Sequence, residues 1–362
     1  MALSRSKLAM EIDRLVGHGL IQADGLAQSR GGRRSSIVRI SPQIRFIGID
    51  IGATSVAVAI TDGELRVLAR AEETMDIRQG PDAVLGRAFE LVGKLRSENS
   101  VPTLLGAGVG VPGPVSFSRG VPVSPPIMPG WNQFPVRETF SAELGCPVLV
   151  DNDVNIMALG EKHAGIAKSA DDFLFVKVGT GVGCGVVIGG DLYRGVSGCA
   201  GDIGHICVDE NGPICACGHV GCLEALFSGA ALSRDALAAA RSGRSEFLAS
   251  RLEQAGTLTA VDVADAAEAG DATAHAMVRE GGHRLGLMLA SLVSFFNPGL
   301  VVIGGGLAGF GHSLLAEIRS TAYRTSLPLA TGNLPIVLSE LGDQAGVIGA
   351  ARIISDHVFT AG

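Results

Sequence analysis

A two-lobed α/β fold, in which one lobe repeats the other, is predicted by three observations. The first is a recurrence. The apolar run Phe46–Ile51, the turn Gly52–Ser55, the run Val56–Thr61, the hairpin signal Asp62-Gly63 and the run Leu65–Arg70 return as Phe173–Val178, Gly179–Gly183, Val186–Ile188, Gly189-Gly190 and Asp191–Tyr193. The offset is a constant 127 residues, so that Gly52 matches Gly179, Gly63 matches Gly190 and Leu65 matches Leu192. Identities between the copies are few, and two unrelated hairpins are the alternative. A true duplication gives two related lobes whose glycine turns face one cleft. The second observation is size and composition. A chain of 362 residues, 47% hydrophobic and 18% charged, suits two to three domains with a large core and excludes a disordered or fibrous protein. The third is glycine. It supplies 51 residues, twice the usual share of about 7%, with no collagen period, which assigns the excess to tight turns and backbone-to-ligand contacts.

The elements follow in order. Ser4–Leu20 reads as a helix, with Leu8, Ile12, Leu15 and Val16 on one stripe and Arg5, Lys7 and Arg14 on the other face. Ser4 or Ser6 caps its start, and Gly17 and Gly19 end it. Leu20–Ala23, a turn at Asp24-Gly25, the basic stretch Arg30–Arg34 and Ile37–Ile40 read as a small hairpin, and Pro42 opens a linker. Between the two copies, Pro81–Arg96 is expected to be helical and Leu105–Val111 to be a strand that Pro112-Gly113-Pro114 ends. Pro122–Gly130 is a proline-rich loop, Pro147–Val150 a short buried strand and Asn155–His163 a helix. Residues 229–295 are mostly alanine-rich helix. Gly286–Gly311 has no Asp, Glu, Lys or Arg. Asn297-Pro298-Gly299 divides it into a helix-like Leu285–Phe296 and a strand-like Leu300–Ile303, each short of the ~20 residues of a membrane span, so no membrane association is expected.

Charge is unevenly spread. Residues 1–45 hold eight basic and three acidic side chains, a net +5, which leaves −12 for the rest of a chain whose total is −7. A basic arm on an acidic body suits a nucleic-acid contact, with a solvated surface as the alternative. Aromatic residues are only 4%, which argues against gripping single strands by base stacking. Seven cysteines and no signal-like segment point to a reducing compartment, so the expected location is cytoplasmic.

Four groups of residues can carry chemistry. His205, Cys215, Cys217 and Cys222 have the types and spacing of a tetrahedral Cys3His zinc site, structural because no position is left for water. Cys207 competes for a ligand place, and buried free thiols are the alternative. Asp151-Asn152-Asp153 ends an apolar strand, where a carboxylate faces the cleft and can accept a proton from a substrate hydroxyl. The same triplet can equally cap the following helix. Three glycine turns, Asp50-Ile-Gly-Ala-Thr54, Gly179-Thr-Gly-Val-Gly183 and Gly304-Gly-Gly306, each follow an apolar strand and allow backbone N–H groups to approach phosphates. The basic helix and hairpin suit a DNA groove and its phosphates, through Arg5, Ser6, Lys7 and Arg14 on the helix and Arg33 and Arg34 on the hairpin tip.

With these motifs the chain, from about residue 45 to 362, resembles the ROK family of repressors, open reading frames and sugar kinases. The resemblance rests on Asp50-Ile-Gly-Ala-Thr54, Gly108-Val-Gly-Val-Pro-Gly-Pro114, Asn152-Asp153-Val154-Asn155, Gly179-Thr-Gly-Val-Gly183, Gly201-Asp-Ile-Gly-His205 and, most specifically, Cys215-Ala-Cys-Gly-His-Val-Gly-Cys-Leu-Glu224. It implies an actin-like, ribonuclease-H-like duplicated two-lobe fold. It also implies Asp153 as the base of a kinase and Asn152, Asp153, His205 and Glu224 as sugar contacts, with Asp202 beside them. His205, Cys215, Cys217 and Cys222 match zinc ligands. Asp50, Gly52, Thr54, Gly179, Thr180, Gly181, Gly183, Gly305 and Gly306 match ATP and magnesium loops. Two positions depart from the kinases: Ala53 stands where glycine is usual, and Asp202 where glutamate is usual. A Cβ at Ala53 crowds an approaching phosphate, and the shorter Asp202 pulls its carboxylate back by roughly 1.5 Å.

The N-terminal part resembles the winged helix of ROK repressors, with Ser4–Leu20 as recognition helix and Arg30–Ile40 as wing. The two helices that precede a recognition helix are missing, so the winged helix is partial and the chain as given is expected to bind operator DNA weakly. The expected domains are 1–42 for this region, 43–150 with 345–362 for the first lobe, and 151–344 for the second lobe with its zinc knuckle. The expected function is a sugar-responsive transcriptional regulator, a repressor before an activator, acting as a homodimer or homotetramer on operator DNA. The alternative is an ATP-dependent, glucokinase-like sugar kinase, using ATP and magnesium.

Overall fold

The computed structural model describes residues 4–26, 36–101 and 103–360. Helix α1 (Arg5–Gly17) starts where Ser4 Oγ accepts a hydrogen bond from the Lys7 N–H. Strand β1 (Ile21–Leu26) pairs antiparallel with β2 (Ser36–Ile40). The turn expected at Asp24-Gly25 is instead a bulge inside β1. The register shifts between Ala23 and Leu26, with Gly25 at φ +103°. The basic stretch with Arg33 and Arg34 lies outside the described residues. Leu20 and Ile44 are buried in one apolar cluster with Phe46, Leu65 and Ile354, and half-buried Leu15 and Ile40 pack on it, seating the helix–hairpin unit on the body.

The first lobe opens with an antiparallel meander of β3 (Phe46–Ile51), β4 (Ser55–Thr61) and β5 (Val67–Thr74). Helix α2 (Pro81–Glu98) then carries the chain back to β6 (Gly106–Val111), parallel to β3. A small hairpin of β7 (Val115–Ser116) and β8 (Val121–Pro122) and helix α3 (Val136–Leu144) lead to β9 (Val148–Asn152), parallel to β6. Helix α4 (Asp153–His163) leads to the second lobe, where β10 (Phe173–Val178), β11 (Val182–Ile188) and β12 (Asp191–Tyr193) form another antiparallel meander. A helical layer follows: α5 (Leu223–Leu226), α6 (Gly229–Arg241), α7 (Glu246–Ala255), α8 (Ala260–Glu268) and the long α9 (Ala272–Phe296). Asn297 ends α9 in the left-handed conformation, at φ +51°, just ahead of Pro298. Strand β13 (Leu300–Gly304) runs parallel to β10. Helices α10 (Gly311–Thr325) and α11 (Pro328–Thr331), strand β14 (Ile336–Leu338) and helix α12 (Gln344–Thr360) complete the chain.

The sheet orders are β5-β4-β3-β6-β9 and β12-β11-β10-β13-β14, with matching strand directions, so the recurrence is a duplication of a whole five-stranded lobe. The copies differ at the first turn. Ile51 pairs with Val56, but Val178 pairs with Val182, so the second glycine turn is one residue tighter.

Two helices join the lobes. Helix α12 lies on the first sheet, so close that a Cβ on Gly108 would fall 1.7 Å from the Ala350 carbonyl oxygen. Helix α4 crosses α12 just as closely, a Cβ on Gly349 falling 1.6 Å from Ile156 O. Its other face, through Val154, Met157 and Ala158, packs on Phe173 and Phe175 of the second sheet. Each lobe has its own core: Ile49, Val109, Trp131 and Phe140 in the first, Val176, Leu285, Ile303 and Ile318 in the second. Burying each such side chain stabilises the fold by about 1.5–3 kcal/mol. Among the described residues, no helix is long and apolar enough to cross a membrane.

Candidate functional site

The carboxyl ends of β3 and β10 point into one cleft between the lobes, about 1010 Å3 in volume. The duplication explains why the glycine turns meet there. Gly52 and Thr54 come from the β3–β4 turn, Gly179, Thr180, Gly181 and Gly183 from the equivalent β10–β11 turn, and Gly305 and Gly306 from the end of β13. Asp50, Asn152, Asp153, Asp202, His205 and Glu224 line the same cleft.

The Asp-Asn-Asp triplet caps α4 and also places Asn152 and Asp153 on the cleft wall. Asn152 caps α4, its Oδ1 accepting from the N–H groups of Val154 (2.9 Å) and Asn155 (3.3 Å), while Nδ2 donates to Gly113 O at 2.9 Å. Asp151 is 2% exposed and lies behind the cleft wall, accepting from Asn155 Nδ2 and from Arg194 Nε, each at 2.8 Å. Arg194 also stacks over the Phe117 ring, 4.0 Å from its centroid, so it ties the second lobe to the first. Asp153 is buried. Its Oδ1 accepts from the Val154 N–H, and its Oδ2 accepts from the Lys177 ammonium at 2.5 Å.

Lys177 is the site residue that sequence reasoning missed. It lies on β10 at the duplication equivalent of Asp50 on β3, and the 127-residue offset alone could have exposed it. Its stem runs along two of the glycine turns: Cε is 3.4 Å from where a Cβ on Gly179 would lie, and Cγ is 3.0 Å from one on Gly305. Burial pulls the Lys177 ammonium down, but the Asp153 and Asp50 carboxylates outweigh it and hold it above the usual lysine range. Burial pushes the Asp50 carboxyl up to about 7 against the opposing pull of Lys177. This floor does not fit a magnesium ion, because the Lys177 ammonium already engages Asp153 and its charge also acts on Asp50.

The second lobe supplies a metal-binding group. The donor atoms of His205, Cys215, Cys217 and Cys222 all lie within 4.8 Å of one another, as four ligands of one tetrahedral ion require. Cys207 is outside this group and forms an isolated backbone bridge with Cys222. Burial raises the thiols of Cys215 and Cys222, the latter to about 12. Burial also works on Cys217, but hydrogen bonds from the His219 backbone and ring bring it down to about 6. A bound cation would remove the remaining protons. The donor set fits zinc, and His205 belongs both to it and to the cleft wall. Glu224 stands two residues beyond Cys222; its Oε2 accepts from the Val182 N–H at 2.9 Å, and burial raises its carboxyl. Asp202 is exposed at the cleft, just before the single turn Ile203–His205.

The basic arm is apart from the cleft. Ser6 and Lys7 are exposed on α1. Arg14 is engaged by Glu11 of the same helix at 2.6 Å. Arg5 begins the helix, and nothing further is described of its side chain. Leu8, Met10 and Val16 are exposed, so the apolar face of α1 is only partly covered.

A family model described as ROK family matches residues 46–357. The glucokinase of Halalkalibacterium halodurans is 34% identical over 315 residues, 86% of this chain and 95% of that protein. The xylose repressor of Caldicellulosiruptor bescii is 30% identical over 358 residues, 98% of this chain and 89% of that protein. A crystal structure described as a ROK family transcriptional regulator, homologous to the E. coli MLC protein, superposes with a TM-score of 0.83 at 25% identity, over 99% of this chain and 89% of that one.

Proposed function

The chain belongs to the ROK family, and on that premise we propose that it is a sugar-responsive, DNA-binding regulator of transcription. One observation carries the choice between the family's two kinds of relative. The family match begins at residue 46, so α1 and the β1–β2 hairpin lie outside the shared domain. The repressor and the regulator structure match nearly the whole chain, and the glucokinase does not. The basic excess of residues 1–45 supports the same reading.

In this reading a sugar binds in the cleft. Asp153, Asp202 and Glu224 accept from its hydroxyls, the remaining amide hydrogen of Asn152 donates, and His205 contributes a ring nitrogen. Zinc, when bound by His205, Cys215, Cys217 and Cys222, supplies a structural crosslink. Those side chains then hold the loop with Asp202 and Glu224 at a fixed distance from Asp153. Sugar draws the lobes together, and the change reaches a second copy's DNA arm in a dimer or tetramer. This requires different sugar affinity in the open and closed states. Release of operator by sugar makes the protein a repressor. The second reading, an ATP-dependent sugar kinase, is favoured by the glucokinase identity and by the presence of Asp153 among the glycine turns.

The test is selection of random duplex DNA by the zinc-loaded chain, followed by mobility shift of the enriched duplex with xylose, glucose and N-acetylglucosamine. It is run on the chain as given and on one with two grafted helices covering Leu8, Met10 and Val16. An enriched duplex released by one sugar is expected. No enriched duplex from either protein, together with sugar-dependent ATP turnover lost in Asp153→Asn, would assign a kinase.

A further inference from the structure

We propose that Lys177 is a specificity-determining residue, a resident counter-cation that fits the cleft for an uncharged sugar and closes it to a metal–nucleotide. This deepens the regulator reading and rests on it.

Phosphoryl transfer to a sugar hydroxyl asks three things of such a cleft. A carboxylate must be free to take the hydroxyl proton, the glycine turns must be open to phosphates, and a divalent cation must sit beside them. Lys177 interferes with all three. Its ammonium is ion-paired with Asp153 Oδ2 at 2.5 Å, so a hydroxyl proton would have to be taken up beside a fixed positive charge. Its stem lies beside the turns at Gly179 and Gly305, all of them on the cleft wall that phosphates would have to reach. Its charge lies where Asp50 and Asp153 would otherwise both be available to a cation, and like charge repels a divalent ion brought there.

A neutral sugar meets no such obstacle. An ionised carboxylate offers about four lone-pair positions, so Asp153 can accept from a sugar hydroxyl while keeping its two present partners. Nor is the floor an anion site. Lys177 is already balanced by Asp153 and faces Asp50 as well, so the three groups carry no net positive charge for a sugar phosphate. The duplication gives the exclusion its origin: the first hairpin brings a carboxyl to the floor, and the second, at the matching position, brings an ammonium.

The experiment is isothermal titration of the zinc-loaded full chain. Xylose, glucose, N-acetylglucosamine and glucose 6-phosphate are titrated first, then magnesium–AMPPNP with the best sugar present. A neutral sugar should bind, its phosphate should bind more weakly, and the nucleotide should not bind below about 1 mM. Lys177→Ser, checked for folding by circular dichroism and a cooperative thermal transition, should bind magnesium–AMPPNP at least about tenfold more tightly than the wild type. Lys177→Arg, which keeps the ion pair, should go on excluding it. Micromolar nucleotide binding by the wild type overturns the proposal, as does tighter binding of glucose 6-phosphate than of glucose. A folded Lys177→Ser that gains no nucleotide affinity also overturns it. If the serine variant does not fold, the wild-type and arginine titrations decide. Operator release by sugar is read on the same samples. Release retained alongside tight nucleotide binding defeats this inference alone, and neither operator nor nucleotide binding defeats the regulator reading alone.

Discussion

The β3–β4 and β10–β11 hairpins enter the same cleft from equivalent places in two sheets of the same order, yet they bring opposite charges to it. Asp50 of the first is a carboxyl pushed up to about 7 by burial, and it approaches the start of α12 at Gly346. Lys177 of the second is an ammonium tied to Asp153. The second turn is also one residue tighter, and among the described residues the metal-binding group follows on its side. Duplication preserved the strand order, which the core of each lobe depends on. It left the strand ends free to diverge, because their side chains face the cleft and not the core. Function therefore has to be read at the ends of the strands, one lobe against the other.

The largest expected effect breaks the comparison by removing what only the second lobe has. Loading with zinc followed by its chelation, or Cys217→Ser, should abolish measurable sugar binding by calorimetry while the first lobe keeps its protection in hydrogen exchange. Retained sugar affinity in metal-free protein would detach the knuckle from the cleft. Next comes the pair of charges. Lys177→Met leaves the Asp153 carboxylate buried without its partner and should cost about 3–5 kcal/mol in urea unfolding, whereas Asp50→Asn at pH 7 should cost less than about 1 kcal/mol. Equal costs would mean that the two hairpins are electrostatically alike.

A pH series sharpens the same contrast. Asp50 holds its proton more tightly when folded, near 7, than at its ordinary 3.8. The folded state therefore binds more protons between these values, and this contribution is full below the unfolded value and lost as pH rises through the folded one. From pH 5 to 7.5 the wild type should lose about 2 kcal/mol relative to Asp50→Asn, read from paired urea midpoints. A constant difference would show that Asp50 is ionised throughout. The smallest effect is at the arm. Arg14→Ala removes a half-exposed pair with Glu11 and should leave the urea midpoint unchanged, while weakening duplex binding in a mobility shift.

Much of this was legible beforehand, and the physical reasons are specific. β3, β6, β10 and β13 announce themselves because both faces are covered, which makes them nearly unbroken apolar runs. The metal group is legible because three of its four donors lie in one short loop. The Asp24-Gly25 signal misled because the φ that suits a turn also suits a bulge, and the pairing partner decides between them. Lys177 was hidden because one lysine within an apolar strand has no local pattern, and its partner Asp153 begins a helix on the other side of a crossover. The Arg194–Asp151 pair was hidden for the same reason.

The placement of α12 has a consequence for the order in which the protein comes into being. The first sheet is finished at β9, yet one face stays bare until residues 344–360 arrive to cover it. The cluster that seats the helix–hairpin arm includes Ala351 and Ile354 of that helix. On the ribosome the second lobe can close on itself first, while the earlier-made lobe waits for the far end of its own message. A transcript cut short before α12 would yield neither a firm first lobe nor a firmly seated arm. Only chains translated through that helix would then carry both lobes and the arm in their finished places.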